Sequence, residues 1–86
     1  MAQIHLTIVT PEGSCFDGEA DRVLVRTTSG DVSILPRHID YAASLGTGTA
    51  RVTVNGTPRE AQISGGVICV AQDNVRILTN SFQWTK

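Results

Sequence analysis

An all-β fold, a flattened sandwich or barrel of some eight to ten short strands, is predicted by three observations. Apolar residues recur with a period of two along most of the chain, as in Ile4, Leu6 and Ile8. Clusters of Gly, Asn, Asp, Ser and Pro break that alternation every few residues. No window carries the 3.6-residue period of an amphipathic helix. Strands in such number and of such shortness point to a sandwich or barrel rather than an open sheet. The 86 residues fit one domain, without repeat, linker or low-complexity tract.

The elements follow in order. Ile4, Leu6 and Ile8 alternate with His5 and Thr7, which predicts a strand over residues 3–10 with one buried face. Pro11-Glu12-Gly13 ends it, and a short run from Ser14 to Glu19 follows, with Phe16 as its large apolar residue. Val23 and Val25 alternate with Arg22, Leu24 and Arg26, and Ser29-Gly30-Asp31 is a turn signal. Val32 and Ile34 carry the next strand as far as Pro36, and residues 36–40 read as loop. Tyr41 to Leu45 resumes an apolar segment, interrupted by Gly46-Thr47-Gly48. Ala50, Val52 and Val54 form a strand that ends in Asn55-Gly56, the strongest hairpin signal here, since both residues accept the positive φ of a type I′ turn. Ala61 and Ile63 return from it, and Ser64-Gly65-Gly66 punctuates. Val67 to Ala71 is the longest apolar run and predicts a strand covered on both faces, with Cys69 as a small core residue. Asp73-Asn74 is a second tight turn, and Val75 to Thr79 returns. Phe82 and Trp84 close the chain on alternating positions.

Composition removes several classes of function. Seven Lys/Arg stand against eight Asp/Glu, for a net charge of −1, and the arginines are scattered. Without a basic stripe interleaved with aromatics, nucleic acid is not the expected partner. A five-residue apolar run falls far short of the ~20 of a spanning helix, so no direct membrane insertion is expected. The first residues lack the basic and apolar regions of a signal peptide, which predicts a soluble, cytosolic chain. Cys15 and Cys69 lie far apart in sequence and are expected as free thiols.

No catalytic constellation stands out. His5, His38, Cys15 and Cys69 show neither Cys-x-x-Cys nor His-x-x-x-His spacing, so no metal site is predicted. His38 and Asp40, with Ser33 and Ser44 nearby, leave a small hydrolase conceivable, but nothing marks a strained nucleophile elbow. Gly46-Thr47-Gly48 lacks the third glycine of a dinucleotide fingerprint and precedes a strand. Ser64-Gly65-Gly66 could cradle an anion, but a bend where two backbones pass closely is the simpler reading. These residues describe a β module that binds something, with no cofactor. One form of that reading is a free-standing binding module, or a homodimer that uses Phe82 and Trp84 as its contact.

Gly30-Asp31-Val32-Ser33-Ile34-Leu35-Pro36-Arg37-His38, followed by Leu45-Gly46-Thr47-Gly48, resembles the signature of the ATP synthase epsilon subunit. That signature is roughly Gly-Glu/Asp-x-Gly-Ile-Leu-Pro-Gly-His, then an apolar stretch and a glycine turn. The blocks His5-Leu6-x-Ile8-Val9-Thr10-Pro11, Phe16-Asp17-Gly18-Glu19, Ser64-Gly65-Gly66 and Asn74-Val75-Arg76-Ile77-Leu78 are similar to the family in the same order. The resemblance implies a flattened ten-stranded β-sandwich that catalyses nothing itself. It implies a rotor subunit of the central stalk, packed on the gamma subunit and touching the polar loops of the c-ring, peripheral on the cytoplasmic face of the energy-coupling membrane. By position it implies a c-ring-facing loop of Asp31, Pro36, Arg37 and His38, and a gamma-facing Thr10 and Tyr41.

Three departures carry expectations of their own. Arg37 stands where the family has glycine, so a positive φ there would cost ~1 kcal/mol or more. Val32-Ser33 replaces an apolar-Gly pair. Most family members continue into a C-terminal helical hairpin that can inhibit ATP hydrolysis. These 86 residues hold no such hairpin, so the expected behaviour is coupling without inhibition by that route.

Overall fold

A computed structural model describes residues 3–34 and 40–85. Ten strands run in order: β1 (Ile4–Thr10), β2 (Gly13–Ala20), β3 (Arg22–Thr27), β4 (Gly30–Ile34), β5 (Tyr41–Ser44), β6 (Thr47–Val54), β7 (Thr57–Ser64), β8 (Val67–Ala71), β9 (Asn74–Leu78) and β10 (Ser81–Trp84). They form two five-stranded sheets, β2-β1-β9-β8-β5 and β10-β7-β6-β3-β4. The molecule is therefore a sandwich of two sheets and not a closed barrel. Every pairing is antiparallel except that of β1 with β9.

The period-two pattern becomes the core directly. Ile4, Leu6 and Ile8 of the first sheet are fully buried against Val23, Val25 and Ile34 of the second. Each such side chain contributes roughly 1.5–3 kcal/mol by leaving water. The aromatic tail joins this packing. Phe82 and Trp84 pair in register with Ile63 and Ala61 and pack half-buried against the core. Trp84 meets Phe16 of the other sheet edge-on at 6.3 Å and carries the Arg59 guanidinium over its ring at 4.0 Å. An inward-turned tail does not supply the outward contact that the homodimer reading asked of it.

Turn chemistry explains the connections. Asn55 and Gly56 take φ of 51° and 80° and close the β6–β7 hairpin as expected. The β1–β2 and β3–β4 turns share one device. Thr10 Oγ1 accepts from the Glu12 amide and donates to the Gly13 carbonyl, and Thr27 Oγ1 does the same with Ser29 and Gly30. The second turn thus lies on Thr28-Ser29, and Gly30 and Asp31 already belong to β4.

Several expectations need correction. The β8–β9 turn sits on Gln72 and Asp73, both at positive φ, one residue before the expected pair. Gly48 lies inside β6, where a Cβ would stand 3.3 Å from the Arg26 side chain, so this glycine marks a close approach and not an interruption. β8 is covered on one face alone: Ile68 and Val70 are buried, while Val67, Cys69 and Ala71 face outward. Cys69 is accordingly an exposed thiol and not a core residue. A two-layer sandwich covers only the inner side of each sheet, which is why an all-apolar strand is left half open.

Candidate docking surface

The open face of β8 belongs to a larger apolar surface. The register places Val9 opposite Leu78, and Leu78 opposite Val67. These three form a row across β1, β9 and β8 on the outer face of the first sheet. Leu78 and Val67 are 41% and 40% exposed, the large apolar side chains most open to water among the described residues. With Pro11, Thr10 and Gly66 they line an open groove of about 410 Å³. An apolar row open to water makes this face the candidate docking surface.

Backbone geometry shapes the groove. Gly65 and Gly66 stand at φ of 66° and 111°. A Cβ on Gly66 would collide with the Leu78 carbonyl oxygen and lie 2.7 Å from Thr79 Cα. The bend at 64–66 is thus the close backbone approach anticipated above. Thr79, buried, secures it, with its hydroxyl 2.8 Å from the Gly65 carbonyl and 3.1 Å from that of Ser81.

Away from the groove the same face becomes polar. The next row holds Asp17, Thr7, Arg76 and Cys69 on successive strands. His5 Nε2 lies 3.0 Å from Asp17 Oδ1, and its Nδ1 lies 3.9 Å from Glu19 Oε2. The outer face of the second sheet is different in kind, with two cross-strand ion pairs. Arg26 Nε donates to Asp31 Oδ1 at 2.7 Å, and Arg51 to Glu60 at 2.8 Å.

The residues singled out from the sequence fall as follows. Asp31 is exposed at the start of β4 and holds the cross-strand pair with Arg26. Pro36, Arg37 and His38 lie outside the described residues, and with them the His38–Asp40 arrangement; Asp40 is exposed. Ile34, the last residue of β4, stands ~10 Å along the strand from Asp31. Thr10 borders the groove while capping its own turn. Tyr41 is half-buried and packs against the core. Among the described residues no group of three or more His, Cys, Asp or Glu could hold a metal ion. No helix among them is long and apolar enough to cross a membrane. Val9, Val67 and Leu78 were not foreseen as surface residues. For Val67 the signal was the apolar run, whose second face asks for a cover that the sandwich does not supply; for Val9 and Leu78 it was the adjacent pairs Ile8-Val9 and Ile77-Leu78, which break the alternation.

Comparison with known proteins agrees with this architecture. Residues 3–85 match the family described as ATP synthase, Delta/Epsilon chain, beta-sandwich domain. The chain is 38% identical over 81 residues to the ATP synthase epsilon chain of Alkalihalophilus pseudofirmus, covering 94% of this chain and 61% of that one. It is 37% identical over 86 residues to that of Ruminococcus albus, covering 99% and 64%. The chain thus spans somewhat over six tenths of the length of these curated relatives. A chain in the Euglena gracilis mitochondrial ATP synthase structure of OSCP, F1 and c-ring superposes with a TM-score of 0.91 at 25% identity, over 98% of this chain and 54% of that one.

Proposed function

This chain belongs to the ATP synthase delta/epsilon family, and we propose that it serves as a non-catalytic central-stalk subunit linking gamma to the c-ring. In that place it would couple ion translocation to ATP synthesis from the cytoplasmic face of the energy-coupling membrane. The observation that carries the reading is the apolar row Val9–Leu78–Val67 on the outer face of the first sheet. A rotor element passes torque through rigid interfaces, and a sheet face offers one without a flexible pocket. We assign gamma to this face, with Thr10 at its border and Tyr41 supporting β5 from within.

The second interface is assigned to Asp31, Pro36, Arg37 and His38 and to the polar loops of the c-ring. The family position of these residues supports the assignment. For Asp31 so does an exposed carboxylate able to accept further hydrogen bonds beside Arg26. The described residues hold strands and no helix.

Calorimetric titration into an F1 complex depleted of this subunit, with hydrolysis followed in parallel, tests the reading. One-to-one binding that Val67→Asp or Leu78→Asp abolishes is the expected result. Unimpaired binding by both variants would remove gamma from this face. A chain that instead self-associates with concentration in light scattering, and ignores F1, would turn the face into a homodimer contact.

A further inference from the structure

Resting on the reading that the outer face of the first sheet docks gamma, we propose that a charge pattern on this face sets the partner's orientation. Arg76 receives a carboxylate of the partner, and Asp17 with Glu19 receives one of its cations, while the apolar row seats beside them.

The register supplies the geometry. Asp17, Thr7 and Arg76 occupy one row on three adjacent strands, so the Cα atoms of the two charged residues stand ~10 Å apart, and no ion pair joins their side chains. The apolar row lies two residues further along the same strands, ~7 Å away. Arg76 has Thr7 and Cys69 as its cross-strand neighbours and makes no ion pair among the described residues. Asp17 and Glu19 are 64% and 66% exposed, and His5 is their one ion-pair partner among the described residues.

The outer face of the second sheet disposes its charges differently. There Arg26 and Arg51 each sit on a carboxylate of the neighbouring strand. Unlike charges left open beside an apolar row therefore fit a complementary protein surface. An apolar row alone would let a partner slide or turn. Two unlike charges at fixed spacing admit one orientation and repel the reverse. The complementary surface on gamma presents a base and an acid about two strand spacings apart, with apolar side chains one row to the side.

The test is titration of the chain into the depleted F1 complex at low and high salt, with Arg76→Glu and with the double variant Asp17→Asn/Glu19→Gln. All three positions are exposed, so thermal melts should match the wild type. Each variant is expected to bind about tenfold more weakly at low salt and to lose most of the wild-type salt dependence. Wild-type affinity and salt dependence in both variants, while Leu78→Asp abolishes binding, would overturn the orientation proposal and leave the docking face standing. Absence of binding by the wild type would overturn the docking reading, and this proposal with it.

Discussion

Gly66 passes so closely beneath Leu78 that a Cβ at position 66 would meet the Leu78 carbonyl oxygen. Its φ of 111° also lies where L-residues rarely go. Gly66→Ala therefore has two costs, a backbone clash and an unfavourable dihedral, in a segment whose Gly66 carbonyl also accepts a hydrogen bond from the Leu45 amide. A loss of at least ~2–3 kcal/mol is expected in denaturant unfolding. Because Leu78 belongs to the apolar row, F1 binding should fall with it. A variant as stable as the wild type would show that the bend has room to move.

Two buried threonines should respond oppositely to the same substitution. Thr53 Oγ1 is buried without a hydrogen-bond partner among the described residues, whereas the Thr79 hydroxyl lies within reach of three carbonyl oxygens, those of Ser64, Gly65 and Ser81. Thr53→Val removes an unpaired polar group and keeps the shape, so stability should hold or rise by up to ~1 kcal/mol. Thr79→Val leaves bend carbonyls unsatisfied and should cost ~1–3 kcal/mol. Paired chemical denaturation curves decide the matter.

Asp21 gives the fold an acid dependence. Its carboxylate accepts from Gln3 Nε2 at 3.1 Å and from the Gly56 amide at 2.8 Å, tying the start of β1 to the β6–β7 turn. These bonds, the Gln3 bond first, hold its pKa below the ordinary 3.8. A depressed folded-state pKa means stability that is present above the unfolded value and is lost as pH falls through the folded one. Unfolding free energies measured between pH 2 and pH 7 should therefore drop at the acid end. Asp21→Asn should flatten that drop. An unchanged acid slope in the variant would assign the dependence to other carboxylates.

Much of this architecture is legible in the sequence, and the exceptions have physical causes. Alternation at Ile4, Leu6 and Ile8 and at Val23 and Val25 reads out the buried faces, because a strand's side chains alternate by geometry. Asn55-Gly56 reads out its hairpin because few residue pairs accept its dihedrals. β8 misleads because an apolar run reports that two faces need cover, not which molecule covers them. The β8–β9 turn slips by a residue because Gln72 takes a positive φ that its type rarely adopts. The Asp17–Arg76 row is invisible in sequence. It exists only through the parallel register of β1 on β9, which joins two segments from opposite ends of the chain.

Trp84 is expected to be a structural residue in spite of its place at the chain's end. It packs edge-on against Phe82 at 4.9 Å and against Phe16 at 6.3 Å, bridging β10 of one sheet and β2 of the other. Arg59 covers the ring from β7. Trp84→Ala would open this seam and strip β10 of its anchor, at an expected cost of ~2–3 kcal/mol. Arg59→Ala, which removes the cation but leaves the ring packed, should cost less, about 0.5–1 kcal/mol. Far-UV circular dichroism is the suitable probe, since Trp84 is the chain's single tryptophan and its removal silences indole fluorescence. Equal losses in the two variants would mean that the cation, and not the aromatic contact between the sheets, holds the last strand in place.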